Sequence, residues 1–162
     1  MKYIDSSAFV KYYANEDSEK GSDKVKELID KAKDGYEKLI ISVLLIPECV
    51  SSFDKWKRQR LLTKEEVNER LAIFLEDLKE LVSNKGLIIE EINTFAVVFC
   101  IDYIVKHSLA VNDSFHLYSA LLNKSEIEQF VCSDKMLLEA AKKEGLKVFN
   151  PEEEQTGKES KN

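Results

Sequence analysis

The chain has no Cys-x-x-Cys pair, no cysteine at metal spacing from either of its two histidines, and an odd total of three cysteines. That argues against a disulfide framework and a zinc site, and leaves Cys49, Cys100 and Cys132, all in apolar company, as reduced core thiols. There is no basic segment leading into an apolar one, because MKYID runs directly into a plausible strand. The longest apolar stretch, Leu39 to Val50, is broken by Ser42, Pro47 and Glu48, so no membrane partner and a soluble, cytoplasmic chain are expected. Cations are not in excess: 24 Lys and Arg against 30 Asp and Glu give a net charge of -6, unlike a protein that coats nucleic acid through phosphate contacts. With no internal repeat and no linker, the 162 residues read as one domain over residues 1–151 and a disordered charged tail over 152–162.

What is present is a regular alternation of two periods. Lys2 to Asp5, Leu39 to Ser42, Leu87 to Ile89, Phe130 to Cys132 and Leu146 to Phe149 are short apolar runs of strand type. Helical spacing fills the intervals. Ala8, Phe9, Tyr12 and Tyr13 make one face, and Val25, Leu28, Ile29 and Ala32 another that Gly35 ends. A third helix follows Ser42 to about Arg60, and a fourth opens on the capping box Thr63/Glu66 and runs through Val82. Phe95 to Val105 follows a cap at Asn93 or Thr94, and a helix capped by Asn112 or Asp113 runs to about Leu122. The last helix is Lys135 to Glu144, closed by Gly145, while Asn15 to Asp23 is a loop or helix entry. Strands separated by helices pair in parallel, which defines an α/β fold.

Four carboxylates stand just after these strands or early in the following helices: Asp5, Glu48, Asp113 and Asp134. In a parallel sheet such positions gather along the carboxyl edge, where side chains from distant segments can share a hard divalent cation. Asp is also a favoured N-cap, and capping explains Asp5, Asp113 or Asp134 taken singly. It does not explain Glu48, about a turn and a half into a helix within LLIPECV, where a buried carboxylate needs a cation or a partner. Pro47 beside it removes one helix hydrogen bond and is assigned no chemistry.

Asp5-Ser6-Ser7, Ser42 through Glu48, Asn112-Asp113-Ser114-Phe115-His116-Leu117 and Val131-Cys132-Ser133-Asp134-Lys135, in that order, together resemble the PIN domain, especially VapC-type toxin ribonucleases. The resemblance implies a three-layer α/β/α sandwich around a short parallel sheet of about five strands. It implies endoribonuclease activity with one or two Mg²⁺ or Mn²⁺ ions, Asp5, Glu48, Asp113 and Asp134 as the acidic quartet, and Ser6 as the hydroxyl that steadies it. It also implies a small antitoxin protein docked between the early helices, and a homodimer. Cys132 departs from the Thr or Ser of many relatives, and a thiol is the weaker donor; Pro47 takes a place often filled by Ala. The chemistry suits the residues: Mg²⁺ and Mn²⁺ prefer oxygen ligands, and a metal-bound water is acidic enough to attack phosphorus. Crowded carboxylates repel, so at least one is expected to hold its proton unusually tightly.

Lys55, Trp56, Lys57, Arg58 and Arg60 form the concentrated basic segment. Lys55 and Arg58 either receive RNA phosphate running out of the acidic site or make a solvated helix end that suits the dipole. Lys11 and Lys135 are further phosphate candidates. His116, one turn beyond Asp113, is a proton donor or phosphate contact, or a structural histidine on an apolar helix; His107 suits a helix end. Two other phosphate-handling classes fail at the first strand. A haloacid-dehalogenase site wants a second acid where Ser7 stands, and a receiver domain wants adjacent acids. Within the resembling family, an RNA-processing or quality-control nuclease without an antitoxin, or a non-catalytic binding module, remains open.

Overall fold

The computed structural model describes residues 1–14 and 19–154. Part of the expected loop or helix entry, 15–18, and most of the expected tail, 155–162, lie outside the described residues. Five strands, β1 (Lys2–Ile4), β2 (Leu39–Ser42), β3 (Leu87–Glu90), β4 (Gln129–Val131) and β5 (Val148–Phe149), form one sheet in the order β3-β2-β1-β4-β5 with every pair parallel. Parallel neighbours need crossovers, and the helices supply them. They are α1 (Ser6–Phe9), continued by a 3-10 turn (Val10–Tyr13), α2 (Ser22–Lys33), α3 (Leu45–Arg58), α4 (Lys64–Ser83), α5 (Thr94–His107), α6 (Val111–Leu122) and α7 (Lys135–Lys143).

The strands alternate between two cores, which makes the sandwich three-layered. Ile4, Leu39, Ile41 and Val131 face α2, α3 and α4, whereas Tyr3, Ile40, Phe130 and Cys132 face α6 and α7. Every residue of β2 is buried, as a strand covered on both faces requires. Of the early aromatic residues, Phe9 and Tyr13 belong to the first core, Tyr13 meeting Phe53 and Phe74 edge-on, and Tyr36 lies on the surface. Gly86 permits close packing: a Cβ there would stand 2.3 Å from the carbonyl oxygen of Ala32.

Three local expectations change. Helix α3 begins at Leu45, so Glu48 lies in its first turn, and Pro47 occupies a position whose N–H would lack a helical partner anyway. No kink follows from it. Helix α6 begins at Val111 after an extended Ala110, so Asp113 sits inside the first turn and caps nothing, while Asp5 and Asp134 do cap α1 and α7. The start of the expected tail is held down. Lys24 Nζ donates to the carbonyls of Pro151 (3.0 Å) and Glu153 (2.6 Å), and Lys11 pairs with Glu152 at 2.8 Å.

Helix α5 is apolar nearly all round, yet only Ala96 and Cys100 are buried, against α6. Phe95, Val97, Val98, Phe99, Ile101 and Val105 are exposed, Phe95 by 70% and Val105 by 77%. Among the described residues no single helix is long and apolar enough to cross a membrane; α5 and α6 together carry that apolar length but bend by 111°.

Candidate active site at the carboxyl edge of the sheet

Strand β1 ends at Ile4, and Asp5 turns the chain into α1 by capping it. Its Oδ2 accepts the Ser7 backbone N–H at 2.9 Å and the Ser7 hydroxyl at 2.6 Å. The Ser133 N–H donates to that same hydroxyl at 3.0 Å, so the loops after β1 and β4 are laced together. Beneath them Cys132 is buried, its sulfur 3.6 Å from Asp5 Oδ2 and accepting the Asp134 N–H at 3.3 Å. Burial, and then the Asp5 charge, push its thiol well above the ordinary range, which keeps it neutral. The departure at Cys132 thus leaves long thiol contacts where a hydroxyl would make short ones.

Helix α6 lays Asp113 and His116 over this edge, and the first turn of α3 brings Glu48 to meet them. His116 is 1% exposed, with Nε2 2.7 Å from Glu48 Oε2 and Nδ1 3.4 Å from Asp5 Oδ1 and 3.0 Å from the Tyr3 hydroxyl. Burial disfavours a charged ring, but the Asp5 and Glu48 carboxylates outweigh it and hold the imidazole above its usual range. At Glu48 burial acts upward; the bond and charge of His116, with hydrogen bonds from Ser6 and Asn112, bring the carboxyl below its ordinary value. Asp113 goes the other way. Burial first, then the charges of Asp5 and Asp134, push it up to about 6, so it is the proton-holding carboxyl expected of a crowded acidic set. Asp134 is exposed, and its Oδ1 accepts the Leu137 N–H at 2.9 Å.

The structure therefore gathers Asp5, Glu48 and Asp113 around one histidine, with Asp134 within electrostatic reach. Among the described residues no three His, Cys, Asp or Glu side chains stand in an arrangement that grips an ion. The joint grip expected of the quartet is not formed, and the reason is visible. His116 takes up Glu48 Oε2 and leans on Asp5 Oδ1, while Ser7 takes up Asp5 Oδ2. In donor chemistry the residues fit a hard divalent cation: oxygen ligands from three separate segments, with a mutual repulsion recorded at Asp113 that a cation relieves.

Ser6 hydrogen-bonds Glu48, and Ser7 is the hydroxyl on Asp5. Two other expectations are corrected. His116 offers no surface to a phosphate because α6 buries it between the acids. Lys11 is 4% exposed and neutralised by Glu19 and Glu152, so its ammonium is not presented to RNA. Arg58 is exposed but paired with Asp54 at 3.2 Å, whereas Lys55 and Lys135 are exposed on α3 and α7. Sequence reasoning missed Tyr3, Ser7 and Asn112. Tyr3 left a signal: a tyrosine in a buried strand needs a partner for its hydroxyl.

An all-parallel sheet sheathed in helices, with acids collected where the strands end, defines an α/β protein with a cluster of carboxylates at one sheet edge. The chain belongs to the PIN domain family, whose model matches residues 2–143; such domains are generally nucleases that use divalent metal ions. Its fold is similar to the crystal structure of PAE2754 from Pyrobaculum aerophilum, at 22% identity and a TM-score of 0.58 over 93% of this chain and 83% of that one. It is also similar to FitAB bound to an IR36 DNA fragment, at 14% identity and a TM-score of 0.63 over 96% of this chain and 98% of that one. No curated protein matches the sequence.

Proposed function

We propose that the chain is a metal-dependent endoribonuclease, the toxin of a VapBC-type pair, acting in the cytoplasm through Asp5, Glu48, Asp113 and Asp134. The observation that carries this reading is the convergence of Asp5, Glu48 and Asp113 on His116, with Asp113 raised by burial and then by its acidic neighbours. These carboxylates would hold Mg²⁺ or Mn²⁺, which supplies an acidified water and charge neutralisation at phosphate. The chain's own residues prepare the ligands. Ser7 fixes Asp5, while Ser6, Asn112 and His116 fix Glu48 and keep it ionised. Lys55 and Lys135, exposed on α3 and α7, receive the RNA backbone.

Two partners belong to the reading. A second copy of the chain covers α5, whose six exposed apolar side chains offer on the order of 700 Å², close to the roughly 800 Å² per partner of a standard interface. A small antitoxin protein blocks the acidic cluster; the likeness to FitAB, solved bound to a DNA fragment, supports a setting in which such an assembly meets nucleic acid. The three cysteines, all free and buried, support the cytoplasmic placement.

The ion pairs of His116 with Asp5 and Glu48 favour a second reading, a non-catalytic PIN module in which the imidazolium replaces the cation. Incubation of the purified protein with single-stranded and structured RNAs, with Mn²⁺ or a chelator, decides between them. Cleavage that needs Mn²⁺ and is lost in Glu48→Gln supports the nuclease, and intact RNA under every condition supports the module. A short reading frame overlapping the start codon distinguishes a toxin from an RNA-processing nuclease.

A further inference from the structure

We infer that Tyr3 and His116 are positioning residues for Glu48: the phenol sets the imidazole, and the imidazole sets the carboxylate among the clustered acids. The inference rests on the proposed site and deepens it, since neither residue reaches the solvent side where RNA would lie.

Tyr3 lies in the middle of β1, fully buried, stacked on Phe130 at 5.2 Å with the rings 9° from parallel. Its ring could be that of phenylalanine; its hydroxyl needs another explanation. The oxygen accepts the Ser42 N–H at 3.2 Å and is hydrogen-bonded by Ser119, which leaves its own hydrogen for the Nδ1 of His116 at 3.0 Å when the ring is neutral. When the ring is charged, Nδ1–H faces the phenol oxygen at 3.0 Å and Asp5 Oδ1 at 3.4 Å, and the phenol hydrogen is free to turn to Ser119.

Both ring nitrogens face a carboxylate, Nε2 the Oε2 of Glu48 at 2.7 Å and Nδ1 the Oδ1 of Asp5 at 3.4 Å, and each would accept a hydrogen; the Tyr3 donor at Nδ1 leaves the hydrogen of the neutral ring on Nε2, toward Glu48. The imidazole stands edge-on to Tyr3 at 79°, and its 1% exposure shows that packing leaves it little freedom to turn. Glu48, in contrast, is half-buried at the start of a helix on a flexible stem. A buried polar string that connects the centre of the sheet to such a carboxylate is retained only when each member is satisfied, and this one is. Three elements meet in it: β1 supplies Tyr3, α6 supplies His116 and α3 supplies Glu48. Residues that orient a metal-ligating carboxylate from behind typically govern affinity by about 10-fold to 100-fold.

The test uses the full chain labelled with ¹⁵N in its histidines. With two histidines present, long-range ¹H–¹⁵N correlation reads each ring separately. Mn²⁺ titration followed by electron paramagnetic resonance reads cation affinity without reference to RNA cleavage. In the wild type at alkaline pH, His116 is expected to hold its hydrogen on Nε2. In Tyr3→Phe the ring should lose that single tautomer and Mn²⁺ affinity should fall about 10-fold, with circular dichroism unchanged. His116→Gln, which keeps a donor toward Glu48, should recover affinity that His116→Ala loses. An unchanged tautomer together with unchanged affinity in Tyr3→Phe overturns the inference, as does equal loss in the Gln and Ala variants, a comparison that decides even if Tyr3→Phe fails to fold. A wild type that binds no Mn²⁺, yet shows the Nε2–H tautomer and its loss in Tyr3→Phe, supports the positioning and overturns the metal-dependent reading alone.

Discussion

The hydroxyl of Ser7 donates to Oδ2 of Asp5 at 2.6 Å and accepts the N–H of Ser133, 126 residues away in sequence, at 3.0 Å. One side chain thus closes the seam between the ends of β1 and β4 and fixes the direction of an acid in the cluster. Ser7→Ala leaves the Ser133 N–H short of an acceptor and frees Asp5 to turn. We expect a loss of about 1–2 kcal/mol in urea denaturation, and weaker Mn²⁺ binding than in wild type, whereas Ser7→Thr retains both.

Asp113 makes the stability of the metal-free protein depend on pH in a direction opposite to most carboxylates. Its folded value of about 6 lies above the usual one, so the native state binds the proton more tightly, and stability falls as pH rises through the interval up to about 6. Asp113→Asn removes that penalty. Because the group is half-exposed and screened, the gain is about 1 kcal/mol, or roughly 2–4 °C in Tm, at pH 8, and it vanishes at pH 4. Thermal melts of both proteins in chelator at the two pH values check the sign.

The apolar surface of α5 predicts assembly. Sedimentation of the wild type should give twice the monomer mass at micromolar concentration, and Val98→Asp combined with Ile101→Asp should give the monomer mass with an unchanged dichroism spectrum, because both side chains are solvent-facing in the single chain. A wild type that stays monomeric removes the second copy from the proposed function.

The fold was legible because its signals are local. Five short apolar runs, the Thr63/Glu66 capping box and the Asn93 cap each depend on neighbours within a few residues, and all reappear. Glu48 was legible as an acid that capping did not explain. The partner that accounts for it was not, because His116 is 68 residues away and its burial depends on how α6 packs on β2. Lys11 failed for the same reason: a lysine after β1 looks free until Glu152 arrives from the far end of the chain. Asp113 was misplaced as a cap because the αL turn at Ser108 and the extended Ala110 start α6 earlier than side-chain preference indicates.

The basic candidates now separate by what already neutralises them. Lys55 is exposed, Arg58 faces Asp54, and Lys11 is buried between two glutamates. Lys55→Glu is expected to lower RNA affinity and reduce the salt slope by about 1, Arg58→Glu to do less, and Lys11→Met to leave RNA binding alone while destabilising the fold by about 1–2 kcal/mol. Binding isotherms of the Glu48→Gln background at several salt concentrations, alongside urea melts, separate the three.

A final expectation concerns the pair that joins α2 to α4 far from the clustered acids. Asp77, 7% exposed, pairs with Lys33 and accepts the hydroxyl of Tyr13 at 3.0 Å. Burial, then the Asp77 charge, raises Tyr13 far above the ordinary phenol range, so it remains a donor at any usable pH. Burial acts downward on Lys33, but its bonds to Asp77 and Tyr12 hold the ammonium above its usual value. Asp77→Ala strands the Tyr13 hydroxyl and leaves Lys33 only Tyr12 at 3.3 Å and Glu80 at 3.6 Å, and should cost about 2 kcal/mol in urea at pH 7. Because the folded value of Lys33 is raised, its contribution is complete below the unfolded value of about 10.4 and is lost only as pH climbs through the folded one. The wild type should therefore keep its advantage over Asp77→Ala from pH 6 to pH 9 and begin to lose it above pH 10.5. An advantage that declines already between pH 6 and 9 would show that Lys33 does not supply it.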